Sequence, residues 1–351
     1  MAIPATLDEV TAAWLGAVLG AEVRAVEVLD AHSGTTGRAR IRLDSGGALP
    51  DTLFVKLRPF DDEQAAFVAM VGLGVSEARF YAAVGDDLPV RSPKVWHADH
   101  DETDHSFVMV LEDLEASGCR FATPDDDDVL AIAESLMDEL AALHARYWGD
   151  DLDWLGTHAP GPGDGPAAQE RMAVGAALVQ AAVERFADGL PPEFRRLGEL
   201  YVARHREIGA LWNEGERTLV HGDDHIGNLF VDAGRTGFYD WAVASRFPGM
   251  RDVAYFLCNS LPDAVRRAEE DRLIARYLAA LAGRGVTLDP RTAHDQYRLF
   301  AVYSWIAATT TYAMGSKWQP EEVGRRATER ATRAIADLDV LGLLHDRLRG
   351  A

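Results

Sequence analysis

The segment Arg38-Ala39-Arg40-Ile41-Arg42-Leu43 alternates polar and apolar residues without a break. That is the two-residue period of a half-buried strand. Val23 to Leu29 and Leu53 to Leu57 are apolar runs on either side of it, and small residues at 32–37 and 44–47 separate the three. The first 60 residues therefore predict an antiparallel meander, entered through a helix over 6–19 that Thr6 or Asp8 would cap. A helical region split by Gly72 and Gly74 comes next, then two further strands over 90–96 and 107–111. Beyond this point the period changes. Val129, Ile132, Leu136, Leu140, Leu143 and Tyr147 recur every three or four residues, which predicts an amphipathic helix over 126–148. The acids at 125–128 would sit at the positive end of that helix dipole. Ala159 to Pro166, rich in Pro and Gly, reads as a linker. Helical patterns fill 167–188, 193–214 and 251–347, interrupted by short strand-like pieces over 219–231 and 236–241.

This order predicts an α+β protein with two lobes. A small antiparallel-sheet lobe would span 1–113 and a larger, mostly helical lobe 114–351. At 351 residues, two domains of about 150 each also fit the length. The charge narrows the partners. Fifty-six acids against 35 bases give a net charge of −21, which argues against a nucleic-acid binder and against docking on an anionic membrane. Two distant cysteines, Cys119 and Cys258, make neither a disulfide framework nor a zinc site. With no signal peptide and no membrane span in view, the expectation is a cytoplasmic protein.

The densest chemistry is His221-Gly222-Asp223-Asp224-His225-Ile226-Gly227-Asn228, a polar loop between apolar runs. Twelve residues past Asn228 stands Asp240, in Phe238-Tyr239-Asp240-Trp241. Acid and amide oxygens on two loops suit a hard cation such as Mg²⁺. Asp223 and Asn228 are spaced as D-x-x-x-x-N. In the kinase template such an Asp accepts a hydroxyl proton and the Asn binds Mg²⁺, with a second metal-binding Asp on the next hairpin. That template also asks for a Lys on the third strand and a Glu on the following helix. Lys56 and Glu77 occupy those places.

With these motifs in place, the chain resembles the aminoglycoside phosphotransferase superfamily, and within it the ecdysteroid kinase-like (CHK kinase-like) branch. LVHGDDHIGNLF, GFYDW and PGMRDVAYF are similar to its catalytic half, and SGTTGRARIRL, LFVKL, SEARFY and VMVLEDL to its N-terminal lobe. The resemblance covers roughly 6–340 and implies a protein-kinase-like bilobal fold that uses ATP and Mg²⁺. It implies Asp223 as general base, Asn228 and Asp240 as Mg²⁺ ligands, and Lys56 on the nucleotide phosphates with Glu77 as its ion-pair partner. Glu112-Asp113-Leu114 would be the hinge, where Glu112 and Leu114 offer backbone groups to adenine. His221 would brace the loop.

The sequence departs from the pattern in places. The loop is SGTTG rather than G-x-G-x-x-G, so Ser33, Gly34, Thr35 and Thr36 would have to supply the hydroxyls and N–H groups around phosphate. Asp224, beside the base, is expected to face solvent. His225 could act as a cation toward the phosphate or simply pack. Asp252 is expected to anchor the short loop after Asp240 or to cap the next helix. The reading is a small-molecule kinase with a hydroxyl acceptor. Its alternatives are a nucleotide-binding pseudokinase and an antibiotic-inactivating aminoglycoside or macrolide phosphotransferase. Acceptor contacts would come from 167–215 and 290–320, where Trp212, Tyr297, Trp305, Tyr312 and Trp318 supply aromatic surface.

Overall fold

We describe residues 2–85, 87–155, 166–315 and 321–349 of a computed structural model. Most of the expected linker and Trp318 lie outside the described residues. Helix α1 (Ala12–Leu19) starts later than its pattern suggests, because the Thr11 side chain accepts the Trp14 N–H and residues 7–9 form a separate tight turn. Strands β1 (Ala25–Ser33), β2 (Gly37–Asp44) and β3 (Thr52–Leu57) form the meander. Helices α2 (Asp62–Val71) and α3 (Leu73–Val84) follow, then β4 (Val95–Asp101) and β5 (Ser106–Glu112). The five strands make one antiparallel sheet in the order β1-β2-β3-β5-β4. The fourth strand starts at Val95 rather than at residue 90. Pro93 has no N–H to donate, so the segment before it makes only an isolated bridge, from Arg91 to Gly237.

Alternation sorts the sheet into two faces. Ala39, Ile41, Leu43, Leu53, Val55, Leu57, Val108 and Val110 are buried with Val10 and Leu15 in one core. Because a strand's side chains change face at every residue, Arg38, Arg40, Phe54 and Lys56 belong to the opposite face. Helix α3 packs on β4 and β5. Its start depends on glycine twice. Gly72 takes the left-handed φ of 71° that lets α2 end and α3 begin. Gly74 faces Phe107 so closely that a Cβ would lie 2.1 Å from ring carbons.

After β6 (Arg120–Phe121) come α4 (Val129–Arg146), α5 (Pro166–Phe186) and α6 (Pro192–Leu211). The acid run stays outside α4, where Asp126 accepts hydrogen bonds from the N–H and hydroxyl of Thr123. Strands β7 (Thr218–Val220), β8 (Leu229–Asp232), β9 (Arg235–Phe238) and β10 (Ser245–Phe247) frame the polar loops. The chain ends in α7 (Met250–Asn259), α8 (Asp263–Ala282), α9 (Pro290–Met314), α10 (Glu321–Asp337) and α11 (Val340–Arg349). Two compact units result. One comprises Met1–Phe121, Asp153–Ala159 and Phe230–Ala244; the other comprises Ala122–Leu152, Pro160–Leu229 and Ser245–Ala351. In the second, α7 is buried along nearly its whole length and packs on α9. Among the described residues no single helix is long and apolar enough to cross a membrane.

Gly74→Ala tests how tightly α3 is seated. Alanine is favoured over glycine inside a helix by about 1 kcal/mol, while overpacking a core costs roughly 1–3 kcal/mol. With Phe107 buried at 3% exposure and only 2.1 Å away, the clash wins. The urea midpoint of the variant is expected to fall; an unchanged or raised midpoint would show that α3 has room to shift.

Candidate active site

In the first unit, Lys56 sits on β3 on the sheet face away from the core. Its Nζ lies 2.6 and 2.5 Å from the two carboxylate oxygens of Glu77, on α3, and 3.6 Å from Asp240 Oδ1. Both Lys56 and Glu77 are buried. Burial alone would lower the Lys56 pKa, but the charges of Asp240 and Glu77 outweigh it and hold the amine above its usual value. Burial pushes the Glu77 carboxyl up to about 7, even against the neighbouring ammonium. Asp240 lies two residues past β9 with φ of 65°, a left-handed conformation uncommon outside glycine. Its neighbour holds it there. Trp241 is fully buried, stacks on Phe80 with ring centroids 4.4 Å apart, and donates from Nε1 to Ser92 Oγ at 3.2 Å.

These three groups line a cavity together with Phe54, Tyr81, Leu111 and Tyr239. The Glu112–Leu114 segment forms part of its rim. There the Glu112 side chain is bound by Arg91 through two contacts of 2.8 and 2.7 Å, and its N–H donates to Lys94 O. The Leu114 carbonyl accepts from Cys119 N–H. The 33–36 turn is tied down as well. Ser33 Oγ accepts from Phe60 N–H at 3.0 Å and lies 3.3 Å from Gln64 Oε1. Gly34 N–H donates to the Thr36 carbonyl, Thr36 is buried, and Thr35 is exposed.

In the second unit, the loop from His221 to Asn228 is held by its backbone. Asp252, on α7 and fully buried, accepts the His221 N–H at 2.7 Å and the Gly222 N–H at 2.9 Å, one on each carboxylate oxygen. Burial opposes ionisation of Asp252, but His144, His221 and the Gly222 N–H outweigh it and hold the carboxyl below its usual range. Asp252 thus anchors the loop that carries Asp223, not the shorter one after Asp240. Further on, Ile226 N–H donates to Ser260 Oγ at 2.8 Å.

Asp223 and Asn228 come together. Asn228 Nδ2 donates to the Asp223 carbonyl at 2.8 Å and to its Oδ2 at 3.1 Å. The other carboxylate oxygen accepts from the Tyr255 hydroxyl at 2.5 Å. Burial beside Asp223 raises the Tyr255 pKa and keeps its hydroxyl a neutral donor. Nothing in the sequence reading singled out Tyr255. The only available signal was its position three residues after Asp252 on a helix, about one turn along the same face. His221 is fully buried and accepts the Asp223 N–H on Nδ1. His225 Nδ1 accepts the Gly227 N–H and so caps a tight turn, while its Nε2 lies 3.8 Å from Asp223 Oδ2.

Asp224 corrects the expectation of a solvent-facing residue. It is fully buried, and neither carboxylate oxygen has a hydrogen-bond partner. Burial, and then the charge of Asp252, push its pKa well above the usual carboxylate range. The alternation of the loop explains the inward turn: Asp223 and His225 are both partly exposed, and the residue between them points the other way. Of the aromatic residues expected around an acceptor, Tyr297, Trp305 and Tyr312 are buried in the core. Trp212 is half-buried and donates to Leu299 O.

The model of the phosphotransferase enzyme family (APH) matches residues 28–288 of this chain. No curated protein matches it. Among solved structures, a choline kinase from Streptococcus pneumoniae superposes with a TM-score of 0.57 at 16% identity, over 94% of this chain and 99% of that one. A putative aminoglycoside phosphotransferase from Ralstonia eutropha gives 0.53 at 17% identity, over 93% and 96%. The GDP complex of an aminoglycoside 2′-phosphotransferase gives 0.54 at 13% identity, over 89% and 93%. The fold is the α+β, protein-kinase-like fold of these proteins.

Asp224 gives a pH test of the loop. A carboxyl whose pKa is raised on folding contributes most at low pH and costs stability as pH rises. Asp224→Asn removes the charge and keeps the volume. The variant is expected to gain stability on the parent between pH 5 and pH 8. Denaturant unfolding at the two pH values measures this; a difference that does not change with pH would show that Asp224 is not a buried, ionisable cost.

Proposed function

This chain belongs to the phosphotransferase enzyme family, and we propose on that footing that it is an ATP- and Mg²⁺-dependent small-molecule kinase. It would move the γ-phosphate onto a hydroxyl of its acceptor. The observation that supports this most directly is Lys56, a buried ammonium held between Glu77 and Asp240 in the lining of a cavity. A purely structural lysine has no need of two carboxylates facing a cavity. A lysine that must meet phosphate has to be kept charged and aimed, and the two carboxylates do both.

The donor chemistry fits Mg²⁺. Asn228 directs its Nδ2 to Asp223, which leaves its Oδ1 as a free-facing acceptor. Asp240 offers a partly exposed carboxylate. Mg²⁺ prefers a few such oxygens completed by phosphate and water. Among the described residues no cluster of three His, Cys, Asp or Glu side chains offers a site for a softer ion. Bound with the nucleotide, Mg²⁺ would neutralise phosphate charge, held by Asn228 and Asp240.

The remaining work falls to the chain itself. Phosphoryl transfer asks mainly for alignment and charge stabilisation. Asp223 would take the proton of the acceptor hydroxyl. Tyr255 and Asn228 fix its two oxygens, so that the carboxylate is already oriented when the acceptor arrives. Asp252 keeps the loop rigid by holding two consecutive N–H groups, which spares the reaction any backbone rearrangement. Around the nucleotide, Leu114 would contribute its N–H and Glu112 its carbonyl to adenine, since the Glu112 N–H and Leu114 carbonyl are engaged elsewhere. Within the 33–36 turn, Thr35 is the exposed hydroxyl, while Ser33, Gly34 and Thr36 shape the turn.

Two substitutions separate the roles. Asp223→Asn is expected to lower ATP turnover by about 10²-fold or more, the usual worth of a positioned base, and to leave ATP binding within a few-fold of the parent. Asp240→Ala is expected to abolish Mg²⁺-dependent nucleotide binding in a calorimetric titration. An ATP-consumption screen over hydroxylated sterols, hydroxyacyl compounds, sugars and aminoglycosides supplies the turnover readout. Full turnover by the Asn variant would remove Asp223 as base. ATP binding by the parent with no turnover on any hydroxyl compound would favour a pseudokinase.

A further inference from the structure

The cavity-facing side of β2 carries two arginines. Arg40 is fully engaged: Nε donates to Asp113 at 3.1 Å, and Nη1 lies 2.7 Å from Glu115 and 3.7 Å from Asp30. Arg38, two residues earlier on the same face, is not. Its Nε is buried without a hydrogen-bond partner, and among the described residues its guanidinium forms no ion pair. Arg38 pairs with Lys56 in the β2–β3 register, so the two cations rise side by side from neighbouring strands. Both line the cavity that Glu77 and Asp240 also line. The Arg38 charge reaches Lys56, Glu77 and Tyr239, where it works against the larger effects that raise the pKa of each.

The turn above is shaped around this side chain. A Cβ on Gly34 would come within 2.8 Å of Arg38 Nη2, so the absence of a side chain at Gly34 makes space for the guanidinium. The turn's own hydroxyls offer little to a ligand, since Ser33 is tied to Phe60 and Gln64 and Thr36 is buried. A buried guanidinium donor left unpaired is costly, and its best partner is an anion with several oxygens in one plane. We propose that Arg38 is a second phosphate-binding cation, gripping the polyphosphate chain of the nucleotide from β2 where the SGTTG turn lacks the glycine-rich cradle. The proposal rests on the nucleotide reading above and adds to it a second residue, beside Lys56, that discriminates a nucleoside polyphosphate from a nucleoside.

Titration calorimetry of the parent, Arg38→Ala and Arg38→Lys with ATP, adenosine and inorganic tripolyphosphate tests it. The Ala variant is expected to bind ATP and tripolyphosphate roughly 10- to 100-fold more weakly, the worth of a forked charge-assisted pair, with adenosine unchanged. The Lys variant keeps the charge without the fork and should fall between. Since Arg38 forms no ion pair among the described residues, thermal melting of both variants should match the parent; if the Ala variant does not fold, the ratio of ATP to adenosine affinity in the Lys variant decides. Unchanged ATP affinity in the Ala variant, or an equal loss for adenosine, would overturn the role. A parent that binds tripolyphosphate through Arg38 but no nucleotide would overturn the nucleotide reading and keep the anion site. A parent that binds neither would overturn both.

Discussion

A buried ammonium must be matched by carboxylates, and Lys56 imposes that condition on everything around it. An ion taken out of water carries a penalty of several kcal/mol unless its partners are close and well oriented. Glu77 answers from α3, which is why that helix has to approach the sheet tightly enough for glycine at Gly74 to face the Phe107 ring. Asp240 answers from the segment after β9, and it does so in a left-handed conformation held by the packing of Trp241 on Phe80. A strained acid, a close-packed helix and a two-sided sheet thus follow from one charge. The same charge places a cation in the cavity lining of a chain whose net charge is −21.

The second unit solves a related problem with opposite sign. Asp223, Asp224 and Asp252 crowd three carboxyls near one loop. Asp252 has backbone N–H groups and His144 beside it and stays ionised. Asp223 reaches partial exposure and has Tyr255 and Asn228 as donors. Asp224 is fully buried with no hydrogen-bond partner on either carboxylate oxygen, and its proton affinity rises accordingly. Three adjacent acids therefore have three different roles, decided by which of them finds hydrogen-bond donors. The buried Arg251, whose guanidinium stacks 4.0 Å from the Tyr303 ring and 4.3 Å from the Phe247 ring, is the cation that Asp224 feels most.

The family places the chain among phosphotransferases, and the fold is shared with a choline kinase and a putative aminoglycoside phosphotransferase at identities of 16 and 17%. At such distances what persists is the arrangement of elements, not the side chains that meet an acceptor. In this chain the aromatic residues Tyr297 and Trp305 on α9 lie in the core, while two arginines, Arg38 and Arg40, line the cavity.

Periodicity alone determined the succession of strands and then helices, because binary patterning is a local property and each element buries one face. The spacing of Asp223 and Asn228, the following Asp240 and a lysine on the third strand were readable as candidates, since loop spacing and the order of elements are both written along the chain. Element starts were less so: Thr11 and Pro93 shifted them through a cap and a missing donor that the apolar pattern does not register. What the sequence could not determine was who meets whom across long separations. Only folding turned Asp224 inward, put the Tyr255 hydroxyl on Asp223 across 32 residues, and bound Asp252 to two N–H groups about 30 residues away. Only folding left Arg38 Nε without a hydrogen-bond partner among the described residues while giving Arg40 three acidic ones. The physical reason is common to all four: pairing of polar groups is set by burial and three-dimensional proximity, and neither is encoded in the local alternation that specifies a strand or a helix.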